Sequence, residues 1–517
     1  MGTGNESTAW ERLLIPDSAE AEVIEMSETG EHRCALRRLA LLRDRMLSEY
    51  SAELRPGRAI GIFADNGIAW IAAFAAVVHA GAVPVPISVK LPRPGVEFIV
   101  ADADLHTVLA DRPRIASLSE WGVSALPLLE PGDAEERGSG GAGGEAVRRP
   151  DDELGLILYT SGSTGQPKGV ELGNRTLRWI VETVAPAVAR PETRMLVVAP
   201  LNHIAALMFA LSCVSQRGTL VVMPRFESRA FLGAVERHRV TDLTGVPPMF
   251  AMLVREHDLL GELDLSSVAR VTMGSAPSSH EMLAEIESWF PGASVTTSYG
   301  TTESGPGVFG PHPDGLPTPL GSVGAARRVP RIRLVDSDGE PTSGRGVLEV
   351  RSPSMMMRYR NRPDLVPPVT SDGFHHTGDL FEVDDQGFFW FAGREDDVFK
   401  CGGETVYPQA VEEALEAHPA VLSAVVLPVP DALKGRKPVA FVLVSPGFEF
   451  DERALQQHVL GRLEPFAHPR RIWPLDAFPL AAANKVDRKR LAEAALLACA
   501  EERPGPPAAT RRSGRAD

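Results

Sequence analysis

Cysteine is scarce in this chain. Four residues (Cys34, Cys213, Cys401 and Cys499) stand far apart in 517, with no CxxC pair. That spacing excludes a disulfide scaffold and a cysteine zinc site, and it fits a reducing compartment. Positive charge is also short, with 53 Lys and Arg against 68 Asp and Glu for a formal net charge of −15. Binding nucleic acid regardless of sequence needs the opposite balance, so no nucleic-acid partner is expected. A small nucleotide site needs only local cations. The opening residues, MGTGNESTAWERLL, hold no basic stretch leading into an apolar core, and Glu6 stands where a myristoylation signal has Ser or Thr. Neither a secretory leader nor a lipid anchor is expected. One run, 68–87, has nearly membrane-spanning length, but it reads IAWIAAFAAVVHAGAVPVPI, broken by His79, Gly81, Pro84 and Pro86. An apolar helix to His79, a glycine stop and a short buried strand account for it. We therefore expect a cytoplasmic protein with no membrane span.

What is present is ordinary globular material, 44% apolar and 23% charged, enough for a sizeable core. The length suggests two to four domains. Helical periodicity over 34–54 gives way to a strand at 59–64, the apolar helix and strand just described, and a strand at 105–110. Strands at 219–223 and 270–273, with a helix at 279–289, continue the alternation expected of an α/β layered domain. Residues 131–150 are Gly-rich and polar and read as a flexible surface loop. From Gly321 short β-rich segments with Gly and Pro turns take over. After Arg394 a small α+β unit follows, with helices at 409–418 and 452–463 and strands at 421–429 and 438–444. The expected domains are thus 1–394 and 395–498, followed by a Pro/Gly/Arg-rich tail, 499–517, expected to be disordered.

The most informative segment is LYTSGSTGQPKGV, residues 158–170. An apolar strand (154–158) runs into Thr160, Ser161, Gly162, Ser163, Thr164, Gly165 and Lys168. Glycines let backbone N–H groups approach an anion, hydroxyls add donors, and the lysine supplies charge for phosphates. It is not a Walker loop: GxxxxGK[ST] is absent, and Pro167 discourages the helix start that such a loop needs. A Ser/Gly-rich surface turn is the plain alternative, disfavoured by three glycines, four hydroxyls and a lysine in ten residues after a buried strand.

This loop resembles the signature of the adenylate-forming superfamily, which comprises acyl- and aryl-CoA ligases, peptide-synthetase adenylation domains and beetle luciferases. Further motifs recur in the family's order from about residue 30 to 492. The resemblance implies two α/β subdomains plus a distorted β-barrel subdomain in the large domain, and a small C-terminal domain on a hinge. It implies ATP, Mg²⁺ and CoA as cofactors and a small-molecule carboxylic acid as substrate. In SYGTTESG (298–305), Tyr299 would pack on adenine beside Gly300 and Thr301, Thr302 would contact the α-phosphate, and Glu303 would bind Mg²⁺. Gly274, Ser275 and Ala276 match the family's adenine-edge loop. Asp379, in HTGD, would hold the ribose hydroxyls with Arg394 as its partner, and Asp396 occupies the hinge position.

Lys485, in AAANKVDRKRL, falls where the family places its adenylation lysine, although a basic run is usually a solvated face and Asn484 replaces the common glycine. His203 borders the acyl pocket by resemblance, while a lone His on an apolar segment is as often a core residue. Gly402 and Gly403, in KCGGETVYP, resemble the thiol tunnel of the CoA-ligase branch; a tight turn is the plain alternative. The expected activity is acid activation through an acyl-adenylate followed by thioester formation with CoA. The alternative is a stand-alone ligase that passes the acyl group to a carrier protein or a separate enzyme.

Overall fold

The computed structural model describes residues 21–27, 30–134, 146–161, 167–274, 278, 280–365, 368–480 and 486–501. The described residues through Glu395 form one compact unit, and those from Asp396 form a second.

In the first unit, six parallel strands lie in the order Ser294–Ser298, Arg270–Gly274, Asp242–Gly245, Arg194–Val197, Thr219–Val222 and Glu22–Ser27. Gly30–Ala35 closes the sheet antiparallel to Glu22–Ser27. Helix periodicity suggested that Cys34 opens a helix; the helix instead spans Leu36–Glu49. Pairing with Glu22–Ser27 captures Gly30–Ala35 as a strand, with Cys34 buried opposite Val23. Tertiary pairing overrides local propensity at such a junction. Leu36, Leu39, Leu42 and Met46 then form the one apolar stripe that this helix buries.

A second parallel sheet orders Val83–Pro86, Ala59–Phe63, Val108–Ala110 and Ala125–Pro127. The ambiguous apolar run resolves as the helix Ile68–His79, buried on every face, then Gly81 at positive φ and the strand Val83–Pro86. A helix that is apolar all round belongs in a core rather than at a surface. Among the described residues no helix is long and apolar enough to cross a membrane.

Residues 309–394 supply a seven-stranded antiparallel sheet: Phe309–Gly310, Gly324–Ala326, Phe388–Arg394, His375–Val383, Arg345–Arg351, Arg331–Val335 and Pro341–Thr342. From Gly324 on it covers the stretch read as short β-rich segments after Gly321. Register shifts between Val347 and Glu349 and between Leu380 and Phe381 bend it.

The second unit is α+β. Val421–Asp431, Gly435–Val444 and Ile472–Leu475 form its sheet, accompanied by helices Pro408–Glu416, Glu452–Leu460 and Arg488–Glu501. Two apolar clusters line this sheet, one around Val426 and Val442 and the other around Val425, Phe441 and Leu491. Strand alternation explains the pair, since neighbouring residues face opposite sides. Of the expected flexible loop, 135–145 lies outside the described residues, as does the tail from 502.

Candidate active site

The carboxyl ends of a parallel sheet are where open α/β folds collect ligands, because the loops there diverge and leave a crevice. Arg270–Gly274 and Ser294–Ser298 end side by side, with Gly274 paired to Ser298. A Cβ on Gly274 would crowd Ser298 Oγ, so glycine lets the two strand ends meet without displacing that side chain. Tyr299 and Gly300 follow directly. His203 comes after Arg194–Val197, which lies beyond Asp242–Gly245 in the same sheet, as the half-buried residue preceding helix Ile204–Ser215. Ser275 and Ala276 lie outside the described residues.

The phosphate-loop flanks form a hairpin. Leu154–Ser161 runs on past Leu158 and pairs antiparallel with Pro167–Gly173, setting Thr160 opposite Lys168. Pro167 opens its strand, a position that tolerates the missing N–H. Gly162, Ser163, Thr164 and Gly165, and the Ser161 side chain, lie outside the described residues.

A third strand, Arg358–Tyr359, pairs with Val170 and Glu171. Sequence reasoning passed over it. Glu171 is fully buried and ion-paired to Arg358 at 2.7 Å and Arg360 at 2.9 Å. Arg360 also donates to the carbonyls of Asp102 (2.8 Å) and Ala103 (3.2 Å). The alternation Arg358, Arg360, Arg362 around Tyr359 was the available signal, a period-two pattern that marks a strand.

The preceding residues reach the other loop. Met356 N–H donates to the Glu303 carbonyl at 2.8 Å, and Met357 N–H to the Glu171 carbonyl at 2.7 Å. Gly305 has φ +78°, and a Cβ there would lie 2.0 Å from Ser354 Oγ. Thr301 and Ser304 hydrogen-bond each other around the intervening turn, which holds Thr302 and Glu303. Tyr359 Oη donates to Glu303 Oε1 at 3.2 Å, and the Lys168 ammonium lies 5.8 Å from the centre of the Tyr359 ring. Burial, then the Glu303 carboxylate, raises the Tyr359 phenol above its ordinary pKa, so it remains a donor.

Asp379 is buried on the strand His375–Val383, opposite Arg394 on Phe388–Arg394. Arg394 Nη1 donates to its Oδ1 at 2.5 Å, and Tyr299 Oη to its Oδ2 at 2.5 Å. Its N–H is held by Thr377 Oγ1 at 3.1 Å. The carboxylate plane is thereby fixed. Burial and then the Asp379 charge push the Tyr299 phenol well above its ordinary value. The edges of its ring meet Phe381 and Phe309.

In the second unit, Asp396 lies in the turn Glu395–Asp397. Gly402 and Gly403 connect the strands Phe399–Cys401 and Glu404–Val406 as a two-residue hairpin, with φ +63° and +92°. Such a turn requires glycine-like conformations by itself, so the pair is explained without any thiol passage. Lys485 lies outside the described residues. Its flanks are fixed by a bridge between Leu480 and Val486 and by Asp487 N–H on the Pro479 carbonyl at 2.7 Å.

The parallel sheet, the hydroxyl- and glycine-rich hairpin and the fixed Asp379 together describe an adenylate-forming enzyme. The chain belongs to the AMP-binding enzyme family, whose model matches residues 45–360, with the C-terminal domain model matching 410–485. It is 31% identical to a feruloyl-CoA synthase of Amycolatopsis sp over 451 residues, 84% of this chain and 88% of the relative. It is 30% identical to 4-coumarate–CoA ligase 5 of Oryza sativa subsp. japonica, covering 84% of each chain. Among solved structures, the amide bond synthetase McbA from Marinactinospora thermotolerans matches with a TM-score of 0.82 at 25% identity, covering 94% of this chain and 99% of that one.

Proposed function

We infer that this protein is an AMP-forming acid–CoA ligase that activates an aryl acid. The substrate carboxylate attacks the α-phosphorus of ATP, expelling pyrophosphate and leaving an acyl-adenylate. The thiol of CoA then attacks the acyl carbon, its proton is lost, and AMP departs. The family and its CoA-ligase relatives support the reaction; the names feruloyl and 4-coumarate support the aromatic class. Buried Met249 and Phe250, beyond the strand Asp242–Gly245, suit an apolar acid body.

In this reading the hairpin with Thr160, Ser161, Gly162, Ser163, Thr164, Gly165 and Lys168 takes the phosphates. Gly274, Ser275, Ala276, Tyr299, Gly300 and Thr301 border the adenine, and Thr302 meets the α-phosphate. Asp379 accepts from the ribose hydroxyls with its plane set by Arg394 and Tyr299. His203 borders the acid. Lys485 offsets the charge that develops as pyrophosphate leaves, which is electrostatic rather than covalent catalysis. Asp396 is the hinge, and the hairpin at Gly402 and Gly403 borders the thiol path.

Among the described residues no cluster of three or more His, Cys, Asp and Glu could hold a metal by itself. A lone Glu303 beside a phosphate loop fits Mg²⁺, which keeps its waters and shares one carboxylate with substrate phosphates. Bound there, Mg²⁺ would neutralise phosphate charge. The observation that carries the reading is the meeting of Lys168 and Glu303 at Tyr359, one over its ring and the other at its hydroxyl.

Lys485→Ala tests it. We expect acid-dependent pyrophosphate exchange to vanish while supplied acyl-adenylate still yields thioester; equal loss of both refutes the assignment. The likeness to an amide bond synthetase favours one second reading, in which the adenylate goes to an acceptor other than CoA.

A further inference from the structure

Tyr359 belongs to no segment that the motifs marked, yet the two halves of the phosphate site meet on it. Its hydroxyl donates to Glu303 Oε1 at 3.2 Å. The Lys168 ammonium lies 5.8 Å from its ring centre, within the range at which an aromatic face attracts a cation. Tyr359 pairs with Val170, and three residues earlier Met356 N–H donates to the Glu303 carbonyl.

Opposite charges in one cleft tend to collapse into an ion pair, and a paired lysine and glutamate would each be less available to a nucleotide. Here no ion pair joins Lys168 to Glu303 among the described residues, because each finds a neutral partner in Tyr359. The ring face attracts the ammonium without cancelling its charge. The phenol fixes one carboxylate oxygen, and among the described residues the other has no hydrogen-bond partner and can receive a cation.

We propose that Tyr359 is a positioning residue for the Mg·triphosphate, its hydroxyl setting the Glu303 carboxylate and its ring holding the Lys168 ammonium. This rests on the reading above, in which Glu303 takes Mg²⁺ and Lys168 takes phosphate. The two contacts are chemically separable, which makes the proposal sharp.

The test is calorimetric titration of the full-length protein with ATP, once with Mg²⁺ and once with EDTA, for the native chain, Tyr359→Phe and Tyr359→Leu. Phe keeps the ring and removes the hydroxyl. Its affinity for Mg·ATP falls about tenfold, as loss of a hydrogen bond to a charged group predicts. Its affinity for metal-free ATP stays within about twofold. Leu removes the ring as well, and metal-free ATP weakens by about two- to fivefold. A Phe variant with undiminished gain from Mg²⁺ overturns the proposal, as does a folded Leu variant that binds metal-free ATP as the native chain does. If Leu fails to fold, the near-isosteric Phe decides alone. A native chain that gains nothing from Mg²⁺ refutes the metal assignment itself, and the proposal with it.

Discussion

Glu171 pairs with two arginines in the sheet that holds Lys168, and Glu171→Gln is the substitution whose cost is best defined. Gln keeps the shape and one acceptor oxygen but removes the charge that faces two guanidinium groups. Those groups are unequal. The Arg358 side chain is 69% exposed, so its pair contributes at most about 1 kcal/mol. Arg360 is only 19% exposed, and the Asp102 and Ala103 carbonyls tether it in place. Once Glu171 is neutral, that guanidinium cannot swing into water. Removing one partner of a buried pair costs several kcal/mol, and partial exposure of Arg360 brings the figure to about 2–3 kcal/mol. In a unit of this size such a loss lowers the thermal midpoint by about 3 °C. Scanning calorimetry of Glu171→Gln and Arg358→Ala checks the ordering. An Arg358→Ala midpoint as low as that of Glu171→Gln, or no change in the latter, refutes the reasoning.

Other perturbations probe the site and the second unit. Tyr299→Phe removes the donor to Asp379 Oδ2 and should weaken AMP binding about tenfold in equilibrium titration, while Arg394 still holds Oδ1. Gly305→Ala should destabilise by about 3 kcal/mol or more in thermal unfolding, from the positive φ and the clash with Ser354. Ser354→Gly should not restore stability, because the Ser354 carbonyl is 2.8 Å from the same Cβ. Glu416, half-buried and near Glu412 and Glu413, has its carboxyl raised to about 8, chiefly by desolvation. Its folded form binds a proton that the unfolded chain has released above its ordinary value of 4.5, so stability falls as pH rises toward 8. His458 and His468, lowered by burial, act oppositely but only below 6.5. Amide exchange at Ala424, which donates to Glu416 Oε1 at 2.8 Å, should therefore gain protection as pH drops from 8 to 7 after correction for intrinsic exchange. Glu416→Gln should abolish that gain.

The parts of the site that were legible in the sequence are those whose chemistry is contiguous. Thr160 to Lys168 must place glycines, hydroxyls and a cation within one loop, so the requirement is written in one stretch. Tyr359, Glu171 and Arg360 act through pairing between distant segments, and no local pattern states which carboxylate an arginine will meet. The same cause moved the start of the first helix, since Gly30–Ala35 becomes a strand only because Glu22–Ser27 lies beside it. Gly402 and Gly403 teach the converse. Their hairpin conformation requires glycine-like residues by itself, so the motif there has a structural cause beside any functional one.

The central claim is a two-step ligation that needs an acid, ATP and CoA together. Pyrophosphate release with Mg·ATP tests it most directly, measured across hydroxycinnamic, benzoic and medium-chain acids, each with and without CoA. Sustained turnover is expected only with an aryl acid and CoA both present. A single burst of pyrophosphate that CoA does not convert to turnover would contradict it and assign the acyl-adenylate to another acceptor.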